Sequence, residues 1–149
     1  KIISTFLKKN ETPETYTGAD IAAKFPIPGE SWTSKLTEAD VAEATCTDNG
    51  TEYEVMIKAN TQADAATGSG VGAGFEVIKS EDVMDAAGFI VKSFNTEYYD
   101  CVVKCKIDKA TGNVTWINFT TPIIMKVSTK IGIDAQVGMT FEKDYTVAY

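Results

Sequence analysis

The sequence contains no histidine and no arginine, so all 14 of its basic residues are lysines. The absence of histidine excludes Ser-His-Asp triads and HExxH zinc sites, because both need imidazole groups. The absence of arginine removes the forked side chain that reads guanine and clamps phosphate most effectively. The net charge is −7, which also opposes contact with a polyanion. The sequence therefore predicts no nucleic-acid partner.

Long hydrophobic runs are absent too, since no stretch approaches the 18 or so apolar residues of a membrane-spanning helix. We therefore expect no transmembrane segment in this chain. The chain begins at Lys1 rather than Met, and we interpret this as loss of an upstream segment that would have held any export signal or lipid anchor. Threonine is abundant, and with Val, Ile, Tyr and Phe it favours strands. This composition is typical of exported bacterial proteins, so we expect an extracytoplasmic location, secreted or anchored at the cell surface.

Cysteine is scarce, and its number is odd: Cys46, Cys101 and Cys105. Cys101 and Cys105 are four residues apart in a strand pattern, which separates them by about 13 Å. A disulfide needs Cα atoms within about 7 Å, so these two cannot bridge each other. Cys46 is a disulfide candidate with either one if its strand lies alongside, and the alternative is three buried thiols. A Cys-only zinc site would lack its fourth ligand, so no metal site is predicted.

The 149 residues are the length of one domain, residues 1–149. Apolar side chains at helical spacing predict a helix over residues 2–9, and a capping box at Thr17–Asp20 predicts a second over Ile21–Phe25. A strand over Val41–Thr47 is followed by the hairpin signal Asp48-Asn49-Gly50 and by a second, alternating strand. A helix with acids in its first turn is predicted to begin at Ser80 and to end by Gly88.

The last 60 residues predict an antiparallel meander. Strands are indicated over residues 89–94 and 98–107, either separate or continuous, then over 114–121, 123–131 and 133–141. A glycine-bearing hairpin loop joins the second to the third, and Pro122 marks a bend or an edge between the next two. The predicted fold class is therefore α+β, with a curved, mostly antiparallel, half-barrel-like sheet and short helices packed on one side.

The strands around Pro122 carry apolar residues on both faces, as where Trp116 opposes Ile117 and Phe119. An antiparallel strand with one solvent-exposed face should instead alternate strictly between apolar and polar residues. Two explanations stay open: helices cover the second face, or that face lines an apolar ligand pocket. The second gives the candidate ligand-binding residues Trp116, Phe119, Ile124, Met125 and Met139.

No motif predicts catalysis. The segment Gly68–Ala73 fits the dinucleotide pattern G-x-G-x-x-A, but a polar, alanine-rich stretch precedes it where a hydrophobic strand is needed. Neighbouring carboxylates, such as Glu52 and Glu54, fall on the polar side of the strand alternation and are explained as solvated acids. We therefore predict no catalytic residues and no cofactor.

Three segments resemble a known family: Ala44–Tyr53, Gly70–Phe75 and, most extensively, Tyr99–Ile117 through Phe141–Tyr145. Together they are similar to uncharacterised exported lipoproteins of Gram-positive gut bacteria. The layout also resembles, more distantly, the LolA-like half-barrel of lipid-binding lipoproteins, in which helices close a curved sheet over an apolar cavity. That resemblance implies an apolar ligand, although this chain has no counterpart of the carriers' functional arginine.

The sequence thus predicts a non-catalytic, extracytoplasmic binding domain, as in a lipoprotein, for a lipid or other apolar or amphipathic small molecule. The first alternative is an adhesion or protein-interaction domain without a pocket. The second is a hydrolase that uses two converging carboxylates.

Overall fold

The computed structural model describes residues 12–22 and 35–149. The predicted helix over residues 2–9 and the end of the one predicted over Ile21–Phe25 lie outside these ranges. The α-helices are α1 (Ala19–Ala22) and α2 (Ser80–Ala87), and single 3₁₀ turns occupy Glu38–Asp40 and Gly70–Ala73. The strands are β1 (Val41–Asp48), β2 (Glu52–Ala59), β3 (Gln62–Ala63), β4 (Val91–Tyr98), β5 (Val102–Asp108), β6 (Val114–Thr129) and β7 (Asp134–Thr146).

All seven strands pair antiparallel in one open sheet, which confirms the predicted α+β class with its curved antiparallel sheet. Strand β6 lies inside the sheet and pairs with three other strands. β7 pairs with one edge of β6 along nearly its whole length, while β5 and β4 share the other edge end to end. β2 and β3 continue outward beside β5 and β4, and β1 lies outside β2. Within the described residues, no helix is long and apolar enough to cross a bilayer.

Two predicted hairpins are confirmed, and each depends on a carboxylate and a glycine. Asp48 accepts a hydrogen bond from the Gly50 N–H at 2.9 Å, and Gly50 has φ +88°, which favours glycine. Between β5 and β6, the Asp108 carboxylate accepts bonds from the Thr111 N–H and hydroxyl, and Gly112 has φ +74°. These local contacts reverse the chain at each turn. Lys109 also links the two turns, since its ammonium contacts the Asp48 carboxylate at 2.8 Å and its N–H donates to the Thr51 carbonyl at 3.0 Å.

The strands predicted on either side of Pro122 form the single strand β6. Proline has no N–H, so it is tolerated inside a sheet only where the neighbouring strand needs no donor. The neighbour here is bulged: three residues, Tyr99–Cys101, separate β4 from β5 opposite two residues of β6. Asp100 in this bulge has φ +50°, and the Pro122 carbonyl accepts the Tyr99 N–H at 3.4 Å. Pro122 therefore marks the bulge of its neighbour rather than an end of its own strand.

The bulge has a consequence for the side chains. Tyr98 pairs with Ile123, and Val102 pairs with Thr120, an odd number of residues further back along β6. Because side chains alternate across a strand, Tyr98 and Val102 lie on opposite faces of the sheet although they are four residues apart. Cys101, Val103 and Cys105 thereby join the face that Tyr98 occupies.

The two faces differ in chemistry. One, here called the apolar face, carries mainly aliphatic, aromatic and cysteine side chains from β1 to β7. The other, the polar face, is dominated by Thr, Asn, Lys, Glu and Asp. Ion pairs cross it at 2.8 Å between Lys106 and Glu52 and at 3.3 Å between Lys126 and Glu97.

Residues 64–90, here called the covering segment, pack on part of the apolar face and include α2. Val71, Phe75, Val83 and Ala87 from this segment are buried against residues of β4 and β6. Tyr98 of β4 is fully buried, and its hydroxyl accepts a hydrogen bond from the Ile78 N–H at 2.7 Å. This bond fixes the covering segment to the sheet. The hydrophobic core thus lies over one half of the sheet, on one side.

Candidate functional site

The sheet divides the five predicted ligand-binding residues between its two faces. Phe119, Met125 and Met139 lie on the apolar face, whereas Trp116 and Ile124 lie on the polar face. These five side chains therefore cannot line one pocket. Alternation along β6 already separates Trp116 from Phe119. The pairing register adds that Met139 of β7 shares the face of Phe119 and Met125, because it pairs with Ile123.

The apolar-face members of that set are mostly used by the core. Met125 is buried, and Met139 packs against the same cluster. Phe119 contacts Phe75 of the covering segment edge to face, with ring centroids 6.2 Å apart. Phe119 therefore stands at the border between the covered part of this face and the rest.

On the polar face, Trp116 belongs to a hydrogen-bonded cluster. Its indole N–H reaches both carboxylate oxygens of Asp144, at 3.0 and 3.1 Å. The Asn118 amide donates to Glu142 at 3.0 Å and to Asp144 at 3.2 Å, and its oxygen accepts the Thr120 hydroxyl. These bonds satisfy Asn118, which is buried, and join β6 to β7. Trp116 is held by its neighbours in this cluster.

Beyond the covering segment, the apolar face continues as a stripe across five strands. Cys46 pairs with Val55, Val55 with Cys105, Cys105 with Ile117, and Ile117 with Tyr145. This row spans four strand spacings, or about 19 Å. Ile57 lies in the adjacent row, between Ala44 and Val103.

We call five members of these rows the apolar patch: Val55, Ile57, Cys105, Ile117 and Tyr145. All five are partly exposed, and none belongs to the core that the described residues form. Of these five, only Ile117 belongs to the strands whose two apolar faces predict a ligand site from the sequence. The alternation of Tyr53, Val55 and Ile57 was a usable signal, but the rows become visible only when the register is known.

All three cysteines are free thiols. Cys46 and Cys105 share a row, but β2 lies between them, so their Cα atoms are about two strand spacings, or about 9.5 Å, apart. A disulfide between them would exceed the usual Cα separation. Burial raises the pKa of Cys101 to about 11, and Asp100 adds to that shift. Burial also raises the pKa of Cys105, with a smaller contribution from Cys46.

Two surface depressions, with volumes of about 320 and 290 Å³, lie elsewhere. Asp64, Thr96 and the start of α2 line the larger one, and Asp40, Gln62 and Gly70 contribute to the smaller one. Neither contains a predicted ligand-binding residue or a member of the apolar patch. Among the described residues, therefore, the apolar patch contributes to neither depression.

The carboxylates of Glu142 and Asp144 converge, since both accept the Asn118 amide, at 3.0 and 3.2 Å. Other acids lie apart. Glu52 is paired with Lys106, and Asp134 and Glu142 lie eight residues apart along β7, which separates them by about 27 Å. No cluster of three or more potential metal-binding side chains occurs in residues 12–22 and 35–149. Every buried side-chain polar atom in those ranges has a hydrogen-bond partner.

Comparison with known proteins adds no relative: no family model, no curated protein and no solved structure matches the chain. The sheet and its side chains therefore carry the functional argument.

Proposed function

We propose that this protein is a non-catalytic, extracytoplasmic binding domain that takes an apolar or amphipathic ligand on the apolar patch. One observation carries the proposal: next to the covering segment, the apolar chemistry of the core continues in the row from Cys46 to Tyr145, which runs about 19 Å across five strands. That is the length scale of an extended long acyl chain. Isolated apolar residues are ordinary on a protein surface, but a contiguous stripe of them favours a binding role.

A single-chain amphiphile would lie across the strands, with its tail along the row. The resemblance to LolA-like lipid-binding lipoproteins favours the same class of ligand.

Binding of palmitate and of lysophosphatidylcholine, measured by native mass spectrometry and by displacement of a fluorescent fatty acid, tests this proposal. Ile117→Asn and Ile124→Asn form a matched pair, since both isoleucines are partly buried on β6 but lie on opposite faces. We expect Ile117→Asn to weaken binding at least fivefold and Ile124→Asn to leave it within twofold. Circular dichroism and thermal melting would establish that both variants fold.

Absence of binding to either amphiphile at millimolar concentration would overturn the proposal. Equal weakening by both substitutions would also overturn it, because that result would place the ligand away from the apolar face.

The position of the patch outside both depressions favours one other candidate, an interaction domain without a pocket. Apolar side chains on a sheet surface also fit the core of a protein–protein interface. Such a domain would bind neither amphiphile, and Ile117→Asn would instead weaken its association with a protein partner.

A further inference from the structure

The turn between β1 and β2 exposes an asparagine directly before a glycine. Of the six asparagines in the sequence, only Asn49 is followed by glycine. Asn49 and Gly50 are both exposed in the turn that joins the two strands. Such a pair can react within itself, because the backbone nitrogen of the glycine can reach the side-chain carbonyl carbon of the asparagine.

The reaction needs only water, and asparagine is among the residues that are chemically labile. The Gly50 nitrogen attacks the Asn49 Cγ, so that a new N–Cγ bond forms and the Cγ–Nδ2 bond breaks. The Gly50 N–H proton passes to solvent, and solvent returns a proton to the departing amide nitrogen, which leaves as ammonia. Water then opens the resulting five-membered imide at either of its two carbonyl carbons. One opening gives aspartate, and the other gives isoaspartate, in which the main chain runs through the former side chain.

The attacking nitrogen is accessible in this structure. Glycine has no Cβ to crowd its nitrogen, and a Cβ built at Gly50 would meet no atom within 4 Å. The Gly50 N–H donates to the carboxylate of Asp48, an exposed residue, at 2.9 Å. Because that acceptor is a side chain, the N–H can give up this bond without breaking the ladder between β1 and β2.

The side chain under attack is also free to turn, since no hydrogen bond joins the Asn49 amide group to the described part of the chain. The amide groups of three other asparagines donate hydrogen bonds of 2.8–3.2 Å: Asn60, Asn95 and Asn118. Asn113 precedes Val114, whose branched side chain crowds the nitrogen that would have to attack. Asn49 therefore combines a free amide group with an uncrowded nitrogen.

From these observations we propose that Asn49 is a site of spontaneous covalent modification, at which the chain converts asparagine into aspartate and isoaspartate through an imide with Gly50. This modification does not depend on the ligand proposed for the apolar patch. A protein that binds no amphiphile could still undergo it, and the converse also holds.

The isoaspartyl product loosens the β1–β2 hairpin. It lengthens the main chain by one carbon atom in a turn where the Asn49 N–H donates to the Glu52 carbonyl at 2.9 Å and the Asn49 carbonyl accepts the Thr51 N–H at 3.2 Å. In isoaspartate that carbonyl leaves the main chain and becomes a carboxylate. The new negative charge lies between Asp48 and Glu52 in the sequence, and like charges at close range repel.

Incubation of the folded protein at pH 8 and 37 °C, followed by peptide mass spectrometry that distinguishes aspartate from isoaspartate, measures the reaction at each asparagine. We expect Asn49 to be converted at least tenfold faster than the other described asparagines: Asn60, Asn95, Asn113 and Asn118. An unmodified Asn49 after four weeks would overturn the proposal, as would conversion of Asn60 or Asn113 at the same rate.

Gly50→Ala and Gly112→Ala form a matched pair. The two glycines have φ +88° and +74°, and an added Cβ meets nothing within 4 Å at either, so both substitutions strain a hairpin turn. Only the first places a Cβ beside the attacking nitrogen. We expect Gly50→Ala to slow the conversion of Asn49 at least fivefold and Gly112→Ala to leave it within twofold. An unchanged or faster rate in Gly50→Ala would overturn the proposal, and circular dichroism would establish that both variants fold.

Loosening of the hairpin is measured by hydrogen exchange of the isoaspartyl form, separated from the unmodified protein by ion exchange. The control is Asn49→Asp, which has the new charge but an ordinary main chain. We expect the amides of β1 to exchange at least fivefold faster in the isoaspartyl form than in Asn49→Asp. Equal exchange in the two proteins would overturn the loosening of the hairpin.

Discussion

Cys46 and Cys101 are thiols on the same face of the sheet in opposite environments. Cys46 is exposed at the edge strand, whereas Cys101 is 1% exposed and its pKa is raised to about 11 by burial. The thiolate is the reactive form, so Cys101 should be nearly inert at pH 8. We expect iodoacetamide to modify Cys46 at least tenfold faster than Cys101, as measured by peptide mass spectrometry over time. Equal rates in the folded protein would contradict the burial of Cys101.

The same burial predicts a loss of stability in alkaline solution. The pKa values of Cys101 and Tyr98 are raised above 9.0 and 10.0, respectively, mainly by burial, so the folded state favours their neutral forms. The unfolded chain ionises first, and stability therefore falls as pH rises above about 9. Chemical denaturation at pH 8, 9, 10 and 11 should show this fall, and Cys101→Ala should show a shallower one between pH 9 and 11. A slope that this substitution leaves unchanged would exclude Cys101 as a contributor.

At the scale of elements, the β1–β2 hairpin depends on one glycine. Gly50 has φ +88°, a backbone conformation that costs a residue with a Cβ about 1–2 kcal/mol. Gly50→Ala should therefore lower the free energy of unfolding by about 1–2 kcal/mol in urea titrations. Gly138→Ala in β7 is the control, since Gly138 is not among the positive-φ glycines and an added Cβ there meets nothing within 4 Å. A comparable loss in both variants would mean that chain flexibility, rather than the turn, sets the effect.

The bulge at Tyr99–Cys101 makes a stronger prediction. The three residues 99–101 face three residues, 59–61, at the junction of β2 and β3, but only two residues, 121–122, of β6. Deleting Asp100 would match β6 but put β5 out of step with β2, where Ala59 and Cys101 are buried. We expect this deletion to abolish cooperative unfolding or to cost more than about 3 kcal/mol. Deleting Ala110 from the hairpin loop is the matched control, and it should cost clearly less.

How far the sequence predicts these elements depends on the range of the interactions. The turns at Gly50 and Gly112 were predictable because a carboxylate and a glycine within a few residues determine them. The joining of two predicted strands through Pro122 was not, because the bulge that accepts the proline lies on another strand. The assignment of Trp116 and Phe119 to opposite faces followed from alternation alone, but which face meets the core depends on the covering segment.

Across the whole molecule, stability should decrease outward from β6. This strand is paired on both edges along most of its length, whereas β1 pairs only with β2 among the described strands. Amides of β6 that face β4 or β5 should therefore exchange with deuterium only on global unfolding, and those of β1 should exchange through smaller local openings. Native-state hydrogen exchange followed by NMR measures this directly. Equal protection of β1 and β6 would indicate that an additional contact covers β1.

The apolar patch could not be predicted from the sequence, because its row exists only when five strands are in register. Cys46 and Tyr145, at the two ends of that row, are almost 100 residues apart. Pairing over such distances depends on the free energy of the whole chain, so local patterns contain little information about it.

The bulge between β4 and β5 also determines how this chain can change in length. An insertion or deletion in the turns at Asn49 or Ala110 alters only a loop, because both flanking strands keep their partners. Within residues 97–103 a change of one residue cannot keep the present pairing with both β6 and the β2–β3 segment, so one of these neighbours must change by a residue as well. Length changes in related sequences should therefore occur in pairs at these strands, and an alignment that placed a single gap there would assign core residues to the solvent side.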